Sequence, residues 1–304
     1  VKSNFARLID VICKEEDIEV RSYSDDWSHK LSRDGHTAFI TGYQFALNPA
    51  SSKELAQDKA LTYSVLTDAG VPAAVHEFLP SFTEESEKEF PYRALYEACM
   101  AERGEAVLKD NYGTGGNKVF RISDEEAYVK TLKKIWEGSY AASISPFYEI
   151  EEEIRVVVLD GEGRLFLKKE RQTVTGNGRD TVEALVLADP AKAENIAVVP
   201  KKELKRVPED GETVYLNWKH NLGQGATGVV VTDETLKSEL ADIARAAQKA
   251  LGLRFCSVDI VRVNGKRMVL EVNGGVMMEH FAGQSETCFE TAKGIYKDAI
   301  LRML

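Results

Sequence analysis

Two apolar stretches, FCSVDIVRV (255–263) and RMVLEVN (267–273), flank Asn264-Gly265-Lys266. Asn-Gly between such runs is a strong hairpin signal, because the central residues of a tight primed turn need positive φ. This pair of strands constrains the fold more than any other feature. It also carries Asp259, Glu271 and Asn273 where a simple buried hairpin would be apolar. Side chains alternate along a strand, so Glu271 and Asn273 share a face. Whether Asp259 joins them depends on the turn. A two-residue Asn264-Gly265 loop pairs Val263 with Lys266 and leaves Asp259 opposite Leu270. A three-residue loop with Gly265 left-handed pairs Val263 with Arg267 and brings Asp259 opposite Glu271, with Cβ atoms about 5 Å apart. The three-residue turn is therefore expected. Two carboxylates that close repel, and one takes a proton unless a cation lies between them. Two carboxylates and an amide oxygen are hard ligands suited to Mg²⁺ or Mn²⁺ shared with phosphates. A lone polar residue at a strand end usually marks a solvated edge. Three in one register weigh against that, since burying unpaired charge is costly.

The rest of the chain alternates short strands and helices. Ser3 caps a first helix with Phe5, Leu8, Ile9 and Ile12 on one face, and strands follow near 18–23 and 37–40. One helix is expected over 52–69, stopped by Gly70. GVPAAVHEFL reads as extended, since Pro72 opposes helix continuation. Residues 84–103 read as helical with a break near Pro91, and SDEEAYVKTLKKIWEG as a helix boxed by Ser123 and Glu126. Further on, strands at 154–160 and 164–168 meet at DGEG, and Asp180 with Glu183 boxes a short helix. Strands at 213–217 and 227–232 precede a helix at 234–251 closed by Gly252, and a last helix spans 286–303. The pattern gives an α/β (α+β) class with three parts: a short N-terminal region (1–71), a small lid subdomain (72–146) and a mixed-sheet core (147–304).

Three further stretches carry candidate chemistry. KDNYGTGG sets Lys109 at a strand end and Gly113, Gly115 and Gly116 in a loop. It matches neither GxxxxGK[ST] nor GxGxxG. A glycine flap can still lay backbone N–H groups over phosphates, although an ordinary hairpin loop has the same composition. EEEIRVVV places Glu153 and Arg155 on one face, and LKKERQT adds Arg171. Guanidinium groups neutralise phosphoryl and carboxylate oxygens, whereas a charged strand is often just a solvated edge. WKHNLGQGATG has loop composition and offers Asn221 as a donor. His220 and His280 lack a metal-type spacing.

Net charge is −10, which argues against a nucleic-acid partner. The four cysteines form no CxxC, so a reducing compartment is expected rather than a disulfide framework. No apolar run reaches membrane-spanning length, and VKSNFARLID is too polar for a signal peptide. A cytoplasmic protein without a membrane partner is expected.

Five stretches resemble, in order, the ATP-grasp superfamily, most of all the ATP-grasp modules of bifunctional glutathione synthetases and cyanophycin synthetases. They are DKALTYSVLTDAGVP, VLKDNYGTGGNKVF, EIRVVVLDGEGRLFLKKERQTVTGNGRDTVEAL, GETVYLNWKHNLGQGA and LGLRFCSVDIVRVNGKRMVLEVN. The resemblance implies an ATP-grasp fold and a ligase that joins a carboxylate to an amine through an acyl phosphate. Its substrates would be ATP, with Mg²⁺ or Mn²⁺, and an amino acid or small peptide, and pairing as a homodimer is open. It implies that Lys59 and Lys109 reach ATP phosphates, that Gly113, Gly115 and Gly116 form the flap, and that Glu153 lies near the ribose. Arg155 and Arg171 would face phosphate or acyl phosphate, Asn221 the substrate, and Asp259, Glu271 and Asn273 the metal. Where relatives carry a carboxylate ahead of the adenine contacts, this chain has Ser145-Pro146. A kinase that stops at phosphoryl transfer and a non-catalytic nucleotide-binding regulator are the rival readings.

Overall fold

The computed structural model describes residues 2–304. In chain order the elements are α1 (Asn4–Glu15), β1 (Glu19–Tyr23), β2 (Ser28–Arg33), β3 (His36–Thr41), β4 (Gln44–Phe45), α2 (Ala50–Gln57), α3 (Lys59–Asp68) and β5 (Glu77–Pro80). Then come α4 (Arg93–Met100), β6 (Ala106–Asp110), β7 (Val119–Ile122), α5 (Glu125–Trp136), β8 (Ala141–Pro146), β9 (Glu152–Leu159) and β10 (Glu162–Glu170). Next are β11 (Thr173–Thr175), α6 (Val182–Leu187), α7 (Pro190–Ala193), α8 (Lys201–Leu204), β12 (Thr213–Tyr215) and β13 (Thr227–Val230). The chain closes with α9 (Glu234–Ala250), β14 (Phe255–Val263), β15 (Lys266–Asn273), α10 (Glu279–Ala282) and α11 (Glu286–Leu301). Residues up to Phe166 with Thr232–Leu304 form one compact unit, and Leu167–Val231 a second.

The first unit holds three antiparallel arrays. β1-β2-β3-β4 is a meander whose inner residues Leu31, Ile40 and Phe45 are buried. It shares an aromatic cluster with α1 and α11: Tyr296 lies 5.5 Å from Phe5 and 5.1 Å from Phe45, centroid to centroid. β5-β8-β6-β7 buries Leu79, Ala106, Leu108, Ala142 and Ile144 against Tyr96 of α4 and Tyr128 and Leu132 of α5. The third array pairs β9 with β14 and β14 with β15. A parallel bridge joins Ala73 to Val269, with Ala74 N–H on the Val269 carbonyl at 2.8 Å, so the segment leading into β5 is seated on β15.

The second unit pairs β11 with β12 and the end of β10 with β13, over a core of Val174, Val182, Val186, Val199, Val214 and Leu216. Gly176 cannot be replaced cheaply there, since an added Cβ would stand 2.1 Å from the Glu209 carbonyl oxygen.

Four local expectations need correction. The helix over 52–69 is two helices: Asp58 takes φ −84°, ψ 108°, ends α2, and caps α3 by accepting from Leu61 N–H. The cap of α5 is Asp124, accepting from Ala127 N–H, not Ser123. The cap of α6 is Thr181, accepting from Ala184 N–H, not Asp180. Residues 84–103 form a short 3-10 turn (Glu84–Glu87) and then α4. The N-cap residue must be extended while its oxygen faces the first turn, and neighbouring polar residues compete for that place.

The break at Asp58 has a tertiary cause. Its carboxylate also accepts from Asn111 Nδ2 at 2.8 Å and from Tyr112 Oη at 3.0 Å. Asp58→Ala should therefore lower unfolding free energy by at least the ~1–2 kcal/mol of a lost cap, with Asp58→Asn losing less, read from urea denaturation midpoints.

Candidate functional site

The β14–β15 hairpin has the other turn. Val263 pairs with Lys266, a two-residue loop in which Asn264 (φ 49°) and Gly265 (φ 73°) are both left-handed. The three-residue turn is thus wrong, yet its outcome stands. Ile260 pairs with Val269, then Asp259 pairs with Glu271, because Leu270 is an extra residue that bulges out of β15. A β-bulge sets two residues against one and restores the face of those beyond it. Asp259 is also directly opposite Arg155 of β9, and Ser257 is opposite Asn273. One face of three strands therefore carries Arg155, Asp259 and Glu271 in a row, with Glu153 and Asn273 to either side.

The row is electrostatically closed. Arg155 donates from Nε and Nη2 to the two Asp259 oxygens, both at 2.8 Å, while Asp259 is only 2% exposed. Burial disfavours the guanidinium charge, but Asp259, aided by Glu271 and Glu153, more than offsets it and raises the Arg155 pKa. The cation that a facing carboxylate pair demands is thus supplied within the sheet. Asp259 presents hard carboxylate oxygens beside the Arg155 fork. With Glu271 and Asn273 half-buried next to it, the donor set fits a hard divalent cation that completes its shell with phosphate oxygens and water. Among the described residues no group of three or more His, Cys, Asp or Glu is placed to hold a metal.

The two lysines come from α3 and β6. Lys59, the first residue of α3, donates to the carbonyl oxygens of Gly113 (2.6 Å) and Asn111 (3.3 Å). The fully buried Asn111 side chain returns the contact by accepting from Ala60 N–H at 3.2 Å. The base of the glycine loop is thereby fastened to the start of α3. Its tip is a tight turn closed by Asn117 N–H on the Thr114 carbonyl, with Gly115 (φ 68°) and Gly116 (φ 71°) in the centre. That conformation is open to glycine at little steric cost. Lys109, the penultimate residue of β6, donates to His76 Nε2 at 2.8 Å. A pocket lined by Lys59, Thr62, Tyr63, His76, Leu270 and Glu271, among others, joins the lysine side to the carboxylate strand.

His76 and Ser143 are site-side residues that sequence reasoning missed. His76 is 4% exposed, and burial, then the charge of Lys109, hold its pKa well below the usual histidine range. Ser143 is opposite Lys109 across β6 and β8, and its hydroxyl is fully buried with no hydrogen-bond partner among the described residues. A lone histidine or serine in an apolar stretch carries no spacing signal; the Lys109 contact singles out His76, and the register opposite Lys109 singles out Ser143.

Arg171 and Asn221 belong to the second unit. The Arg171 guanidinium lies 3.9 Å from the centroid of the Tyr215 ring. Burial, followed by Arg171 and Lys169, pushes His220 down to about 4, so it is neutral at ordinary pH beside a cationic pair. Asn221 caps its own loop, its side-chain oxygen accepting from Gly223 N–H at 2.8 Å.

This architecture is that of the ATP-grasp fold. It superposes on a bifunctional glutathione synthetase from Pasteurella multocida with a TM-score of 0.55 (17% identity; 96% of this chain, 43% of that one). It superposes equally on a D-alanine–D-alanine ligase from Bacillus anthracis, TM-score 0.55 (15% identity; 84% of this chain, 68% of that one). Residues 201–295 match the family model described as RimK-like ATP-grasp domain. In sequence the chain is similar to the glutathione biosynthesis bifunctional protein GshAB of Enterococcus faecalis, 25% identical over 84% of this chain and 35% of that protein. It is also similar to the cyanophycin synthetase of Nostoc sp., 28% identical over 74% of this chain and 26% of that protein. The chain thus spans about a third or less of these relatives' length. No helix among the described residues is long and apolar enough to cross a membrane.

Breaking the Arg155–Asp259 fork tests the electrostatic reading. Arg155→Met should cost about 3–5 kcal/mol by leaving a buried carboxylate unpaired, and adding Asp259→Asn should recover part of the loss. Urea denaturation of the three variants measures both effects.

Proposed function

We propose that the chain is an ATP-dependent carboxylate–amine ligase. The observation that carries this reading is the Arg155–Asp259–Glu271 row on one sheet face, whose Glu271 also lines a pocket with Lys59 and with the His76 that holds Lys109. Its relatives include a glutathione biosynthesis protein and a cyanophycin synthetase, and its structural neighbours a D-alanine–D-alanine ligase, all named for joining small building blocks.

In this reading a substrate carboxylate oxygen attacks the γ-phosphorus of ATP, the bond to the β–γ bridging oxygen breaks, and ADP leaves. An amine nitrogen then attacks the acyl carbon, phosphate leaves, and the nitrogen loses a proton to give the amide. Lys59 and Lys109 hold phosphate oxygens by charge and position, which is most of what phosphoryl transfer needs from a protein. Gly113, Gly115 and Gly116 form the flap over the phosphates that keeps water from the acyl phosphate, with Gly113 bracing its base by donating its N–H to the Asp110 carbonyl. Asp259, Glu271 and Asn273 would hold Mg²⁺, or Mn²⁺, which supplies charge neutralisation for the phosphates when bound. Glu153 serves the ribose, and Arg155 pairs with Asp259 and fixes it in place. In the second unit Arg171 is the group for an anionic acyl phosphate and Asn221 a substrate-side donor. The acceptor is an amino acid or small peptide.

The deciding experiment supplies ATP and Mg²⁺ with amino acids and dipeptides in pairs, following ADP release and product mass. ADP release that needs both a carboxylate and an amine, with an amide product, is the expected result. A phosphorylated product formed without any amine supports the kinase reading instead, and ATP binding with no ADP from any pair supports a regulator. Asp259→Asn or Glu271→Gln should cut turnover roughly 10²–10³-fold, the scale of removing one charge contact to the transition state, with thermal unfolding still cooperative. Chelation of divalent metal should abolish turnover reversibly.

A further inference from the structure

The His76 imidazole is buried, bonded to Lys109 and lining a pocket with Lys59, and its partners fix its chemical form. Its Nδ1 lies 3.0 Å from the Ala74 carbonyl oxygen, which can only accept, so Nδ1 carries the proton. Its Nε2 lies 2.8 Å from Lys109 Nζ, and an ammonium can only donate, so Nε2 presents its lone pair. The ring is therefore neutral and in a single tautomer. Ala74 is itself held by the Val269 carbonyl at 2.8 Å, two residues before Glu271. A line of hydrogen bonds thus runs from β15 through Ala74 and His76 to the lysine of the lid.

On the ligase reading above, we propose that His76 is a positioning residue that orients the Lys109 ammonium toward the phosphates of bound ATP. A neutral acceptor suits that task better than a carboxylate. It takes one N–H of Lys109 and fixes the direction of the side chain without placing a negative charge of its own against the ammonium. A glutamate at the same place would pair with the ammonium and cancel it. A hydrocarbon would leave a long, flexible side chain to find its own rotamer at each binding event. The ring is deep enough that solvent does not compete for Nε2, being 4% exposed.

The test is a double-mutant cycle on ATP affinity, measured by isothermal titration of the whole chain, with thermal unfolding run in parallel. His76→Phe should weaken ATP binding about 10-fold to 100-fold, the range of a lost hydrogen bond to a charged group. His76→Glu should weaken it at least as much, and His76→Gln, whose amide oxygen can accept, should recover most of the affinity. On a Lys109→Met background, His76→Phe should add less than about twofold, since its effect passes through the lysine. Full-sized loss on that background, or wild-type affinity in His76→Phe while Lys109→Met is impaired, overturns the proposal and leaves the ligase reading intact. A wild-type chain that binds no ATP overturns both.

Discussion

A buried negative charge has to be answered, and in this protein the answer organises a sheet. Asp259 sits 2% exposed in the middle of three antiparallel strands, a position that would push it toward protonation if it stood alone. The Arg155 fork opposite it supplies the pairing charge, and the price is that β9 and β14 are locked in a register that puts the two residues face to face. Glu271 then joins the row from the other side. The arrangement explains how a strand pair that is apolar elsewhere keeps a polar stripe at one end.

The other functional pieces reach this row by backbone rather than by side-chain contacts alone. Ala73 and Ala74 add to β15 beside the bulge, so the segment leading into β5 runs next to Glu271. From the opposite direction, the interruption at Asp58 starts α3 at Lys59 and ties it to Asn111 and Tyr112 at the foot of the glycine loop. A straight helix through 52–69 would carry Lys59 in its interior, without the exposed first turn that the loop grips. The interruption is therefore a positioning device, and its local cost is met by capping and by two tertiary hydrogen bonds.

Much of this was legible in the sequence, for reasons that differ between elements. The Asn264-Gly265 hairpin and the glycine loop were readable because turn chemistry and alternation are local, whereas the five ordered stretches were readable only by their resemblance to a known family. The placement of Asp259 opposite Glu271 was anticipated through the wrong turn: alternation alone cannot tell a longer loop from a bulge further along, since both shift the count by one. The split at Asp58 was invisible because residues 52–69 all tolerate helix, and the partners that favour the break lie more than fifty positions away, at Asn111 and Tyr112. His76 and Ser143 were invisible for a similar reason, as each acquires meaning only through the strand beside it. The helix caps at Asp124 and Thr181 were missed by one residue where two polar candidates stand together.

The bulge at Leu270 makes the chemistry of this hairpin a matter of parity. Extra residues at the tip, beyond Val263 and Lys266, can loop out without moving the ladder. Between Val269 and Glu271 no such freedom exists, because an odd change in count exchanges the inward and outward rows of everything that follows. The same segment is therefore permissive at its exposed end and digital at its buried one. Comparison of related chains across this hairpin has to count residues from Asp259 and Glu271 inward, since an ungapped match through the tip can hold the apolar pattern while turning the carboxylate away from its partner.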